Sequence, residues 1–195
     1  SVWDRVKNVG APLERIGGEN QENYIRAKNG AVTKLQAMNH PDMADDEQGN
    51  EYTEITFDDA GTMPYIGKLV NKLKGTLRSG AGVPCRMFLT ANPGGPGHGW
   101  LKETFITGAE PFVPRIDPKT GFSTVFIPAF LKDNILLNQN DPNYVKRMLS
   151  IDDPVLRRAW IDGDWDAFAG QALDLNVRHQ IDPIPIPSWA QIVMT

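Results

Sequence analysis

The feature that most limits what this chain can fold into is one apolar stripe set between two short apolar runs. Ile66, Leu69, Val70, Leu73 and Leu77 fall at i, i+3, i+4, i+7 and i+11. That spacing lines one face of a helix, expected from about Pro64 to Leu77. Gly80 and Gly82 follow and are expected to end it. Upstream, Tyr52-Thr53-Glu54-Ile55-Thr56-Phe57 is rich in β-branched and aromatic residues and reads as a strand. Downstream, Cys85-Arg86-Met87-Phe88-Leu89-Thr90 is apolar on both faces near its end, as a strand enclosed within a sheet is. Strand, helix and strand make a βαβ unit, whose right-handed crossover leaves the two strands parallel. Asp58-Asp59 and Thr90-Ala91-Asn92 then emerge on one edge of the sheet, the edge where open α/β sheets bind ligands.

The flanking sequence is punctuated by turn formers, with 18 Gly and 15 Pro among 195 residues, so short elements and tight connections are expected. Tyr24 to Lys28 and Ala31 to Ala37 surround Asn29-Gly30 and read as a β-hairpin. His40 to Asn50 is acidic and turn-rich and reads as a surface loop with little to bury. Phe112 to Ile116 and Phe122 to Ile127, around Pro118-Lys119-Thr120-Gly121, form a second hairpin. Asp141-Pro142 and Asp153-Pro154 each open a short helix, with Asp as cap and Pro at the first helical position. Gly163 ends the second of these helices. Trp160, Trp165 and Phe168 are expected to pack that helical pair. Pro183, Pro185 and Pro187 mark a linker leading to a last strand, Ala190 to Met194.

A formal net charge of −4 leaves no basic surface from bulk composition, so any DNA contact rests on local groups. One cysteine, Cys85, excludes an intrachain disulfide and a Cys-based zinc site, and suits a reducing compartment. No apolar run is long enough to span a membrane. The chemistry concentrates at the two loops on the shared edge. In Asp58-Asp59 one carboxylate can hold Mg²⁺ through water and the other can orient a nucleophilic water, although an Asp before a helix is more often only a cap. Thr90 and Asn92 place short polar side chains on the neighbouring tip, where a plain turn is the simpler reading. Gly94-Gly95-Pro96-Gly97-His98-Gly99 can bring backbone N–H groups to a phosphate or act as a hinge. It is not a Walker A loop, since G-x-x-x-x-G-K-[ST] occurs nowhere in these residues. His40, His98 and His179 lack metal-ligand spacing, and Lys68, Lys72, Lys74 and Arg78 read as a solvated helix face.

Five ordered strings are Gln48-Gly49-Asn50-Glu51-Tyr52 with Ile55 to Ala60, Thr90 to Trp100, Phe126-Ile127-Pro128-Ala129, Asp133-Asn134, and Gly163-Asp164-Trp165-Asp166. Together the chain resembles the large terminase subunit of tailed bacteriophages from about Tyr24 to Trp189. That family joins a P-loop ATPase of the ASCE type, which drives DNA into the procapsid, to a small linker subdomain and a metal-dependent nuclease. The resemblance implies an α/β fold. Residues 1–128 would be the later part of the ATPase domain, a partial P-loop parallel sheet with added hairpins. Residues 129–170 would be a small helical linker subdomain, and 171–195 a linker with the first strand of the nuclease domain. It also implies that Asp58 is the Walker B aspartate on Mg²⁺ and ATP, Asp59 the catalytic carboxylate, and Thr90 to Asn92 the coupling segment. Arg78 would be a phosphate-sensing arginine. Double-stranded DNA, the portal and the small terminase subunit are the implied partners, in the host cytoplasm at the procapsid.

Asp59 departs from the family's usual Glu and is one methylene shorter. The Walker A segment is expected upstream of Ser1, and the first nuclease aspartate after Thr195. The chain thus reads as a central fragment that does not turn over ATP by itself. Two other readings stand beside this one: a non-catalytic assembly module that contacts motor subunits, portal or DNA, and an α/β fold whose acidic tip is only a cap. An incomplete sheet exposes edges and apolar surface, so self-association into a homo-oligomer is expected.

Overall fold

A computed structural model describes residues 13–16 and 23–167. Among the described residues the fold is mixed α/β with three small sheets. In chain order the elements are β1 (Leu13–Ile16), β2 (Asn23–Ala27), β3 (Val32–Leu35), β4 (Glu54–Phe57), α1 (Ile66–Leu73), β5 (Arg86–Leu89), α2 (His98–Leu101), β6 (Arg115–Ile116), β7 (Ser123–Thr124), α3 (Ile135–Asn140), α4 (Pro142–Leu149) and α5 (Pro154–Ile161). They fall into two compact units, Ser1–Phe126 and Ile127–Thr195. The expected strand Ala190 to Met194, together with Phe168 and His179, lies outside the described residues.

In the first unit β2 and β3 form the expected hairpin, and β1 adds a third antiparallel strand on the other side of β2. Only Gly30 of the Asn-Gly pair takes a positive φ, 86°, and both Gly30 N and Ala31 O bond back to Ala27. The connection is therefore a turn followed by a left-handed glycine bulge rather than a two-residue turn.

The central βαβ unit forms as its pattern requires. β4 and β5 pair in parallel, with Glu54 opposite Arg86 and Phe57 opposite Leu89. On α1, Ile66, Leu69, Val70 and Leu73 are buried, while Leu77 is half-buried beyond the helix. The helix is shorter than its apolar period suggests. It tightens into a 3-10 turn over Lys74–Thr76, and the chain then bridges Tyr52 through Leu77. Backbone pairing with the base of β4 ends the helix, and Gly80 and Gly82 come after that point.

β5 is not enclosed. Phe57 is buried and Ile55, Met87 and Leu89 are half-buried, whereas Glu54, Thr56, Arg86 and Phe88 are exposed. One face of this sheet packs and the other is open. Arg86 bridges Glu54 at 2.8 Å and lies over the Phe88 ring, so a run that is apolar in sequence carries a polar outer face.

The acidic segment after His40 is also more than a surface loop. Pro41–Ala44 form a 3-10 turn, and Pro41, Ala44 and Glu47 are buried. β6 and β7 form the second expected hairpin with Gly121 at φ 72°, and five apolar side chains at 112, 113, 116, 122 and 125 are exposed on and beside it.

In the second unit both Asp-Pro helices are present, preceded by an unexpected helix, α3, which Asn134 caps by accepting from Leu137 N at 3.0 Å. The two Asp-Pro starts are not equivalent. Asp153 accepts from Val155 N and Leu156 N and caps α5, whereas Asp141 makes no side-chain cap and instead pairs with Arg147. Gly163 takes φ 59° just after α5, as expected of a helix stop. Ala159 and Ala167 are buried here, Trp165 is half-buried and Trp160 is 46% exposed, so Trp160 does not serve the packing role expected of it.

Candidate functional site

The site forms where β4 and β5 end. Because the strands are parallel and in register to Phe57 and Leu89, residues 58 and 90 are neighbours on one rim. The ladder continues past the strands: Thr90 N donates to Phe57 O at 2.9 Å, and Ala60 N donates to Thr90 O at 2.7 Å. The Thr90 hydroxyl then joins the two acidic residues. It donates to Asp58 Oδ1 at 2.9 Å and accepts from the Asp59 backbone N–H at 3.0 Å. One short side chain thus aims one carboxylate and fixes the backbone beneath the next.

Asp58 and Asp59 are both exposed. Asp59 sits in the left-handed region at φ 53°, ψ 46°, which an L-residue adopts at a cost of order 1 kcal/mol and which Asp tolerates better than most. It stands at the N-terminal boundary of the 3-10 turn Ala60–Thr62, yet its side chain makes no cap bond, and the boundary residue of α1 is Tyr65. Neither carboxylate is therefore consumed as a helix cap.

The two loops beyond this rim pack backbone against backbone through glycines. Gly97 N donates to Gly61 O at 2.9 Å. A Cβ on Gly97 would lie 2.7 Å from Ala60 O and 2.9 Å from Met63 O, and one on Gly61 would lie 2.9 Å from Asn92 O. Gly95, at φ 79°, has Gly61 O where a Cβ would sit, at 2.6 Å. The glycine-dense segment is thus a clasp locked to the acidic loop, not a hinge, and close approach accounts for its composition. His98 lies under it, 4% exposed, and its Nδ1 accepts from Gly94 N at 2.9 Å. Asn92 is exposed beside the tip, held there by its backbone.

Arg78 is not at this rim. Its backbone N–H donates to Tyr52 O, its guanidinium to Gly49 O at 3.1 Å, and it pairs with Glu51 at 3.2 Å. Tyr52 begins the run that ends at Asp58, so Arg78 stands near the opposite end of β4, about 20 Å along the strand at ~3.3 Å per residue. A phosphate held at the Asp58 rim is out of its reach. The lysines of α1 are similarly engaged: Lys72 pairs with Asp45 at 2.7 Å, raising its own pKa and lowering that of Asp45, and Lys68 lies over the Tyr65 ring.

The base of β4 holds a polar network that composition alone conceals. Glu47 is 3% exposed. It accepts from Lys34 at 2.7 Å, from Asn50 at 3.1 Å and from the Tyr52 hydroxyl. Burial pushes the Glu47 carboxyl up, but the bonds from Lys34, Tyr52 and Asn50 outweigh it and hold the pKa below its ordinary value. Burial, and then the bond to the Glu47 carboxylate, push the Tyr52 phenol up to about 12.

Among the described residues no three His, Cys, Asp or Glu side chains come together as a metal cage. The tip offers Mg²⁺ the two exposed carboxylates of Asp58 and Asp59, so an ion held there would complete its shell with waters or with ligand oxygens. No protein-family model, curated protein or solved structure matches this chain.

Proposed function

We propose that this chain is part of an ATP-driven DNA-packaging motor of the terminase large-subunit kind, contributing the acidic tip and coupling segment of a P-loop ATPase sheet. The observation that carries the reading is the Thr90 hydroxyl, which links Asp58 and Asp59 at the carboxyl ends of two adjacent parallel strands.

In this reading Asp58 keeps one oxygen on Thr90, and its other oxygen would hold Mg²⁺ through water. Mg²⁺, when bound with ATP, neutralises charge on the phosphates. Asp59, outside any cap, accepts the proton of the water that attacks the terminal phosphorus as the bond to the ADP oxygen breaks. In this reading Thr90 and Asn92 would sense the presence of that phosphate from the tip beside the acidic pair. The phosphate cradle and its lysine come from a Walker A segment that these residues do not contain. Double-stranded DNA, portal and small subunit are the partners of such a motor.

The test is a titration of the ¹⁵N-labelled chain with Mg²⁺, comparing wild type with Asp58→Asn. Shifts at residues 58–60 and 90–92 that saturate in wild type and vanish in the variant support the reading. Equal responses in both would reduce the tip to a turn. In a chain that also carries a Walker A segment, Asp58→Asn and Asp59→Asn each abolish ATP turnover.

A further inference from the structure

We infer that His98 is a positioning residue for the Thr90–Asn92 segment: its neutral imidazole fixes the path of the glycine clasp, and through it the place of Asn92 beside the acidic tip. This rests on the proposed role of the tip, but its geometry is independent of it. Gly94 and Gly95 take successive positive φ angles, 95° and 79°. Such a path has no intrinsic preference over its alternatives and needs external bonds to be held. The backbone supplies one at its far end, Gly97 N to Gly61 O. At its near end the bond comes from a side chain, His98 Nδ1 accepting from Gly94 N at 2.9 Å.

His98 is suited to this because it holds the clasp at two points. It is buried, it opens α2, and its backbone N–H donates to Gly95 O at 3.2 Å, so one residue grips the clasp by both backbone and ring. To accept at Nδ1 the ring carries its proton on Nε2. Gly94 in turn is linked to the tip, since Gly94 O and Asn92 O both lie against Gly61, two residues from Asp59. Releasing Gly94 therefore frees Asn92 before it disturbs the strands.

The experiment compares wild type, His98→Asn and His98→Leu by amide exchange and ¹H–¹⁵N spectra. Asn can place Oδ1 near the position of Nδ1, whereas Leu fills the space without an acceptor. In His98→Leu the Gly94 amide should exchange about tenfold faster than in wild type, with shifts at residues 91–92 while residues 55–57 keep their protection. His98→Asn should restore most of that protection. Equal loss in both variants, or a leucine variant with unchanged Gly94 and Asn92, would overturn the inference. Should His98→Leu not fold, the wild-type imidazole nitrogen shifts decide the matter, because a proton found on Nδ1 removes the acceptor. The Mg²⁺ response of wild type reads the tip's metal role separately, so that role can fail while the His98 result stands.

Discussion

Removing one hydroxyl at Tyr52 measures what the polar network at the base of β4 contributes to stability. The phenol is pushed up to about 12 from an ordinary value of 10, so the neutral form is favoured in the folded chain. A group raised this way adds stability that is complete below pH 10 and is lost as the pH rises from 10 toward 12. A rise of that size has a ceiling of about 2.7 kcal/mol, and the half-buried position of the ring brings the expected value to about 1–2 kcal/mol. Tyr52→Phe removes the donor to Glu47 and should therefore lower stability at pH 8 by about 1–2 kcal/mol, while flattening the loss above pH 10. Urea unfolding from pH 8 to 11 reads both effects, the first as a midpoint lowered by about 0.5–1 M. Two results would refute the reasoning: a variant as stable as wild type at pH 8, or one whose stability falls above pH 10 as steeply as that of wild type.

On the acid side the sign reverses. Glu47 is held below its ordinary pKa, so its contribution is present above about pH 4.5 and is lost as the pH falls further; Glu47→Gln should flatten the acid limb of a stability profile and leave the Lys34 ammonium poorly paired, at about 2–4 kcal/mol. Gly97→Ala drives a methyl into two carbonyl oxygens and should cost about 2–4 kcal/mol by thermal unfolding, whereas Gly75→Ala meets nothing within 4 Å and should be neutral or stabilising by about 0.5–1 kcal/mol. Asp153→Ala removes a true cap from α5 and should lower that unit's stability by about 1 kcal/mol, with Asp141→Ala less harmful, by circular dichroism of the two variants. Thr90→Val should speed amide exchange at Asp59 about tenfold and Thr90→Ser should restore it.

What is legible in the sequence is what depends on local period and turn chemistry. The stripe on α1, the parallel pairing of the strands around it and the shared rim of Asp58 and Thr90 all follow from a βαβ pattern whose crossover has only one favourable hand. Features set by partners distant in sequence are not legible. Glu47 sits amid acidic turn formers, and nothing nearby signals that Lys34, thirteen residues earlier, makes its burial tolerable. Arg78 follows the helix that follows the acidic pair, which suggests proximity, yet the chain has by then crossed to the other end of β4. The glycines of the clasp look like a phosphate loop because both uses need backbone without a Cβ, and only the carbonyls at 2.6–2.9 Å distinguish them. A local case is also hidden: His98 accepts from the Gly94 amide only four residues away, but the glycines between them leave the path of that turn unspecified by sequence.

The same contrast explains why the rim is sharply specified although it is exposed. A slip of one residue between β4 and β5 would turn Met87 and Leu89 to the open face and carry the Thr90 hydroxyl away from Asp58. Two short parallel strands have little ladder of their own to prevent such a slip. Here register is held from both sides: by the half-buried Met87 and Leu89 on the packed face, and beyond the strands by the Gly61–Gly97 contact, which tolerates no added atom. Loosening the clasp should therefore reach the acidic pair sooner than thinning the apolar face does. Gly97→Ala is expected to scatter the amide shifts of Asp58 and Thr90 more than Met87→Ala at equal loss of stability, and the opposite ranking would place control of the rim in the core.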